Sequence, residues 1–130
     1  PPQPPEKPQN TPPPAALAAK TVATPSAPPK PGCEAYRGLI NQYDWDVRTA
    51  MAVMRAESGC NPNARGINTN GTDDVGLFQI NSVHVPKRTT NHGRYDPAEN
   101  IKVAYQIYRS SGWKAWVAYT TGKHIKYLQQ

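Results

Sequence analysis

No stretch of this chain approaches the roughly 20 apolar residues of a transmembrane helix, and the apolar segment Ala15 to Ala19 is too short for one. Nor is there a Lys/Arg-rich run. The formal net charge is +6, but the basic residues stand singly apart from the pair Lys87-Arg88, which argues against a nucleic-acid partner. Internal repeats, a phosphate-cradling glycine loop and a Cys-His nucleophile pair are all missing, so the common signatures of solenoids, nucleotide sites and thiol hydrolases are excluded. His84 and His92 lie eight apart with no cysteine or carboxylate at ligand spacing, and neither a metal nor any other cofactor is expected. Aromatic residues are absent from the first 32 positions, where Leu17 and Val22 are the only larger aliphatics.

What fills those positions is proline: twelve of the fifteen prolines fall within residues 1–32. Such a segment cannot bury enough surface to offset the entropy of ordering, and it reads as a disordered, polyproline-like spacer. One compact domain, residues 33–130, remains. Of the charge, +2 comes from the spacer, where Lys7, Lys20 and Lys30 face Glu6, and +4 from the domain. A modest positive field suits an anionic membrane surface or an acidic wall polymer. Because the sequence opens on Pro1 and not Met, it reads as a fragment or a processed product. Cys33 and Cys60 bracket two helical patterns. A bridge between them would close a long loop and add on the order of 3 kcal/mol; two free thiols of a cytosolic protein are the alternative, and the proline-rich leader favours the bridge.

Along the domain, Tyr36, Leu39, Ile40 and Tyr43 show the i, i+3, i+4, i+7 spacing of a helix over Cys33 to Tyr43, with Gly38 against it. Asp44 is expected to cap a second helix that buries Val47, Ala50, Met51 and Met54 and stops at Gly59. Glu57 continues that apolar face. Held at its edge, the carboxyl would be desolvated and kept protonated, the property of a general acid; a surface glutamate in the last turn is the alternative. Asn70-Gly71 between Thr69 and Thr72 signals a hairpin of strands near Arg65 to Thr69 and Thr72 to Val75. Asp73 and Asp74 would then face opposite sides, the turn type deciding which one meets a cleft. Gly76 to Ser82, GLFQINS, should run inside the domain, and Val83 to Tyr95 reads as a loop. Asp96-Pro97-Ala98-Glu99 starts a helix with a cap, a proline at the first position and a capping-box glutamate. That helix is expected to bury Ile101, Ala104, Tyr105 and Tyr108 and to end at Gly112. The order of helix, hairpin and helix fits an α+β domain, mostly helical with a small antiparallel hairpin.

Two motifs in the right order carry a resemblance over about Tyr36 to Tyr119. Glu57-Ser58-Gly59 with Asn61-Pro62-Asn63-Ala64, then Gly76-Leu77-Phe78-Gln79-Ile80, resembles the lysozyme-like superfamily, including soluble lytic transglycosylase domains. Asn68 to Asp74 running into GLFQINS, and later Ala115-Trp116-Val117-Ala118-Tyr119, is similar to c-type lysozymes. The chain thus joins a transglycosylase-like start to a lysozyme-like hairpin.

The resemblance implies Glu57 as general acid and Asp74 as second carboxylate, leaving Asp73 as its solvated neighbour. It further implies Asn68 as support for Asp74, Gln79 and Asn81 on the cleft floor with Asn81 bonding a substrate acetamido group, Trp116 as the indole packed on the acid, and Ala115 as the carbonyl that receives the acetamido N–H. The activity implied is cleavage of the β-1,4 bond between N-acetylmuramic acid and N-acetylglucosamine in peptidoglycan glycan strands. A lytic transglycosylase using Glu57 alone, or an inactive glycan- or protein-binding module, are the alternatives. A secreted or envelope-exposed monomer, not inserted in the membrane, is expected.

Overall fold

The computed structural model describes residues 32–128. The proline-rich spacer read over residues 1–32 lies outside the described residues, Gly32 excepted. The described residues form α1 (Arg37–Ile40), α2 (Val47–Ser58), β1 (Arg65–Ile67), β2 (Asp73–Val75), β3 (Ile80–Asn81), α3 (Pro97–Ser111) and α4 (Val117–Thr120), with short 3-10 turns before α1, between β3 and α3, between α3 and α4, and after α4. The strands make one antiparallel sheet in the order β1-β2-β3. The α+β class expected from the sequence holds, with a third strand added to the hairpin.

The first helical pattern splits into a 3-10 turn, Cys33–Tyr36, and the short α1. It stops at Ile40 because the chain bends there to bring Trp45 inward, where its indole N–H donates to the Ile40 carbonyl at 2.8 Å. The cap of α2 is Asp46 and not Asp44. Its carboxylate accepts the Thr49 N–H at 3.3 Å, the orphan donor three residues on, whereas Asp44 accepts the hydroxyl of Tyr105. Left-handed Gly59, φ 63°, ends the helix as expected. The buried residues of α2 are Ala50 to Met54.

Asp96 caps α3 by accepting the Glu99 N–H at 2.9 Å, with Pro97 at the first position. The Glu99 side chain does not close a capping box. It turns aside to accept the Thr89 hydroxyl at 3.1 Å and to pair with Lys102 at 3.6 Å. Ile101, Val103, Ala104 and Ile107 of α3 are buried, whereas Tyr105 and Tyr108 are only half-buried. These tyrosines instead flank an aromatic cluster around Trp45, which stacks on Trp113 at 5.3 Å and meets the Tyr105 ring at 5.4 Å. Leu77 and Phe78, from the stretch expected to run inside the domain, are fully buried among α2 and α3 side chains. A Cys33–Cys60 disulfide, Cα atoms 5.3 Å apart, ties the start of the described chain to the end of α2. Among the described residues, no helix is long and apolar enough to cross a membrane.

Candidate active site

The hairpin pairs Gly66 with Asp74 and Ile67 with Asp73. Its turn is not the plain two-residue form. The Asn68 N–H donates to the Thr72 carbonyl at 2.9 Å, the Gly71 N–H donates to the Asn68 carbonyl at 3.2 Å, and Gly71 is left-handed at φ 88°. This is a three-residue loop with the glycine bulge. The bulge brings the Asn68 side chain back over the sheet, where its amide N–H donates to Asp74 Oδ2 at 3.0 Å. From β3, the Asn81 amide donates to Asp74 Oδ1 at 2.9 Å. Each oxygen of Asp74 therefore receives one amide donor, the arrangement that suits an acceptor-only carboxylate. The Asn81 side-chain oxygen is engaged as well, accepting the Val83 N–H at 2.9 Å.

Asp73 points the other way and is not a solvated neighbour. Arg65 meets it at 2.8 Å and Arg94, itself only 2% exposed, at 3.0 Å. The hydrogen bond from Arg65, helped by the hydrogen bond and charge of Arg94, holds the Asp73 carboxyl below the usual carboxylate range, although burial pushes the other way. The face of β2 opposite the cleft packs against the turn that carries Arg94, and a buried guanidinium there demands a partner. Arg94 also donates to the Ile80 carbonyl at 2.9 Å and to the Asn91 side chain at 2.8 Å, so it fastens β2 and β3 to the loop before α3.

Glu57 sits in the last turn of α2 and is half-buried. Burial pushes its carboxyl up from the ordinary 4.5, and the negative charge of Asp74 pushes in the same direction; a hydrogen bond from the Ala118 backbone and the Lys123 ammonium oppose them. Its neighbour Ser58 donates its hydroxyl to the Leu77 carbonyl at 2.8 Å, which locks the helix end onto the GLFQ segment. Gly76 begins that segment at φ 85°, and a Cβ there would lie 2.3 Å from the Arg94 carbonyl oxygen and 2.4 Å from the Asn100 amide nitrogen, so glycine is required. Gln79 adopts a left-handed φ of 52°, and its amide donates to the Ala64 and Gly76 carbonyls at 3.1 and 3.0 Å. The Trp116 indole donates to the Phe78 carbonyl at 3.0 Å.

These contacts shape a cleft of about 400 Å³ whose lining includes Glu57, Asp74, Gln79, Asn81, Ala115 and Trp116. Six of the seven residues expected at the site thus meet in one cavity, and the seventh, Asn68, stands behind Asp74. The disulfide cysteines are not among the lining residues. Sequence reasoning missed His84, which joins the lining and whose imidazole is pushed down chiefly by burial and then by the charge of Arg88. It also missed Asn100, 1% exposed, which accepts the Phe78 N–H at 2.9 Å and donates to the Val75 and Arg94 carbonyls at 2.9 and 2.8 Å. A signal for Asn100 was present: with Val103, Ala104 and Ile107 it completes the i, i+3, i+4, i+7 stripe of α3, an amide on an apolar face. Arg94 and His84 lie in the 3-10 turns Gly93–Tyr95 and Ser82–His84, too short for a periodicity to mark them.

The helix end, the amide-clamped carboxylate on a short sheet and the buried GLFQ turn fall together within one stretch of chain, and residues 40–118 match a family described as Lysozyme like domain. The chain belongs to the lysozyme-like domain family. The matched span runs from the last residue of α1 into α4 and contains the whole cleft lining. No curated protein matches the chain. Membership of the lysozyme-like family supports a peptidoglycan-acting glycosidase or transglycosylase, and together with the disulfide it suggests an extracytoplasmic location.

Proposed function

We propose that this domain is a muramidase that hydrolyses the β-1,4 bond between N-acetylmuramic acid and N-acetylglucosamine in peptidoglycan. The observation that carries the reading is the pairing, across one cleft, of a carboxyl made less acidic by burial and a carboxylate gripped by two amide donors. Glu57 is the general acid. Its proton passes to the glycosidic oxygen as the bond to the anomeric carbon breaks, and the leaving sugar departs with a free hydroxyl. Asp74, held by Asn68 and Asn81, faces the positive charge that develops on the ring. Water then adds to the anomeric carbon and returns a proton to the Glu57 carboxylate, which restores the starting state.

Gln79, Ala115 and Trp116 hold the sugars, Ala115 through its carbonyl. The Asn81 amide meets the substrate's acetamido group from the position where it braces Asp74. The domain comprises residues 33–130, acts as a monomer outside the cytoplasm, and is carried by the proline-rich segment 1–32 as a spacer. The positive charge of the domain favours approach to an acidic wall.

The test is mass spectrometry of muropeptides released from purified peptidoglycan. Reducing-end products are expected. Products ending in 1,6-anhydro sugars would replace hydrolysis with transglycosylation by Glu57 alone, and wall binding without any released product would reduce the domain to a glycan-binding module.

A further inference from the structure

Arg94 stands in the 3-10 turn Gly93–Tyr95, is only 2% exposed, and lines no part of the cleft. Its Nη1 nevertheless serves both strands that build the cleft floor. It donates to the Asp73 carbonyl at 3.2 Å and to the Ile80 carbonyl at 2.9 Å, and it lies 3.0 Å from the Asp73 carboxylate. Asp73 directly precedes Asp74, Ile80 directly precedes Asn81, and Asp74 and Asn81 are register partners in the β2-β3 pair. One nitrogen therefore ties together the two peptide units that lead into the cleft carboxylate and into the amide that donates to it. Asp73 is held at its other polar groups as well: its N–H donates to the Ser82 hydroxyl at 3.1 Å, and its second carboxylate oxygen accepts Arg65 Nε at 2.8 Å.

The arginine is itself anchored. Its carbonyl accepts the Asn100 amide at 2.8 Å, its N–H donates to the Thr90 carbonyl at 3.2 Å, and its Nη2 donates to the Asn91 side chain at 2.8 Å. Nε meets no protein acceptor among the described residues. The guanidinium thus acts through its two terminal nitrogens, and all of these contacts but the one to Asn91 end on β2 or β3. A buried ion pair is a poor device for stability alone, because apolar residues of similar volume often serve a fold as well or better. What the planar fork adds is direction.

We propose that Arg94 is a positioning residue of the active site: from behind the sheet it sets Asp74 and Asn81 at the separation and orientation at which their side chains meet, and so fixes the carboxylate across the cleft from Glu57. Its part in the reaction rests on the function proposed above; the clamp on the two strands does not. Arg65 pairs with the same Asp73 carboxylate from the exposed side, and its side chain bonds to no strand carbonyl among the described residues, so it shares the charge of Arg94 without the clamp.

The test compares the full chain with Arg94→Lys, which keeps the charge and loses the fork, and with Arg65→Gln, which loses a charge and keeps the clamp. The first readout is the side-chain amide protons of Asn68 and Asn81 that donate to Asp74, followed by NMR of 15N-labelled protein. In folded Arg94→Lys they should move upfield as their bonds to the carboxylate loosen, and in Arg65→Gln they should stay in place. A role confined to stability would lower the melting temperature and leave these signals unmoved. The second readout is the initial rate of muropeptide release per folded molecule. It should fall at least about tenfold in Arg94→Lys, since a misplacement of about 1 Å costs up to about a hundredfold, and stay near the natural rate in Arg65→Gln. The double variant Asp73→Asn/Arg94→Met leaves no buried charge unpaired and so protects the fold; it should reproduce both changes, and it decides the matter if Arg94→Lys is too weakly folded to read. Unmoved amide signals, an unchanged rate of release, or equal effects in Arg65→Gln would overturn the proposal. The amide signals do not depend on cleavage, so a natural protein that releases no muropeptide would refute the proposed function while they still decide the clamp.

Discussion

Replacing Asn100 by alanine should be the most damaging polar-to-small change in the fold, and it should act on the cleft without touching it. The Asn100 amide makes three bonds: it accepts the Phe78 N–H, and it donates to the Val75 and Arg94 carbonyls. Phe78 is fully buried and Asn100 is 1% exposed, so no water replaces the lost partner. A neutral hydrogen bond contributes about 1 kcal/mol net, and a buried donor left unpaired costs about 1–3 kcal/mol. One stranded N–H and two weakened carbonyls together come to about 3 kcal/mol. For a domain near 100 residues, each kcal/mol moves the melting temperature by about 4–8 °C, so a fall of about 12–24 °C is expected. Urea denaturation followed by circular dichroism checks the free energy directly, as a lower midpoint at unchanged slope. The fastening also matters to the site, because the bonded groups belong to β2, which carries Asp74, and to the turn that carries Gln79. A loss below about 1 kcal/mol would refute the reasoning, since it would mean that the turn is held by Ser58 and Trp116 without Asn100.

Glu57→Gln should stabilise the fold at neutral pH. Burial raises the carboxyl above its ordinary 4.5, so the folded state keeps the proton to higher pH than the unfolded chain does. The stability from that proton is present below the ordinary value and lost as pH rises through the folded one. The melting temperature of the variant relative to the natural protein should therefore be higher at pH 7 than at pH 4, and a difference independent of pH would count against burial of the acid. Asp74→Asn removes a negative charge that pushes Glu57 up. The Glu57 carboxyl, titrated by carbon-detected NMR, should then lose its proton at lower pH than in the natural protein; an unchanged midpoint would place the two groups too far apart to act on one bond.

The helices were legible because their cues are local: Asp96 with Pro97 starts α3, and Gly59 ends α2, each by chemistry confined to one turn. Glu57 was legible as a residue that continues an apolar face. The choice between Asp73 and Asp74 was legible only through the family resemblance, because period-two alternation separates the pair without saying which side is the cleft. That choice depends on the bulged turn at Gly71 and on Arg94, which draws Asp73 to the far side from a position 21 residues later in the chain. The cap of α2 was misplaced by two residues because Asp44 and Asp46 are both good cap residues, and a tertiary partner, Tyr105, takes Asp44. The third strand was hidden in GLFQINS because two residues, Ile80 and Asn81, are too few to show alternation.

The central claim is that Glu57 donates the proton that breaks the glycan. The most direct measurement compares muropeptide release from purified peptidoglycan by the natural protein and by Glu57→Gln, with circular dichroism to verify that the variant is folded. A positioned general acid contributes about 10²–10⁴-fold, so release should fall at least about a hundredfold. A folded Glu57→Gln protein that still solubilises the wall at the natural rate would contradict the account.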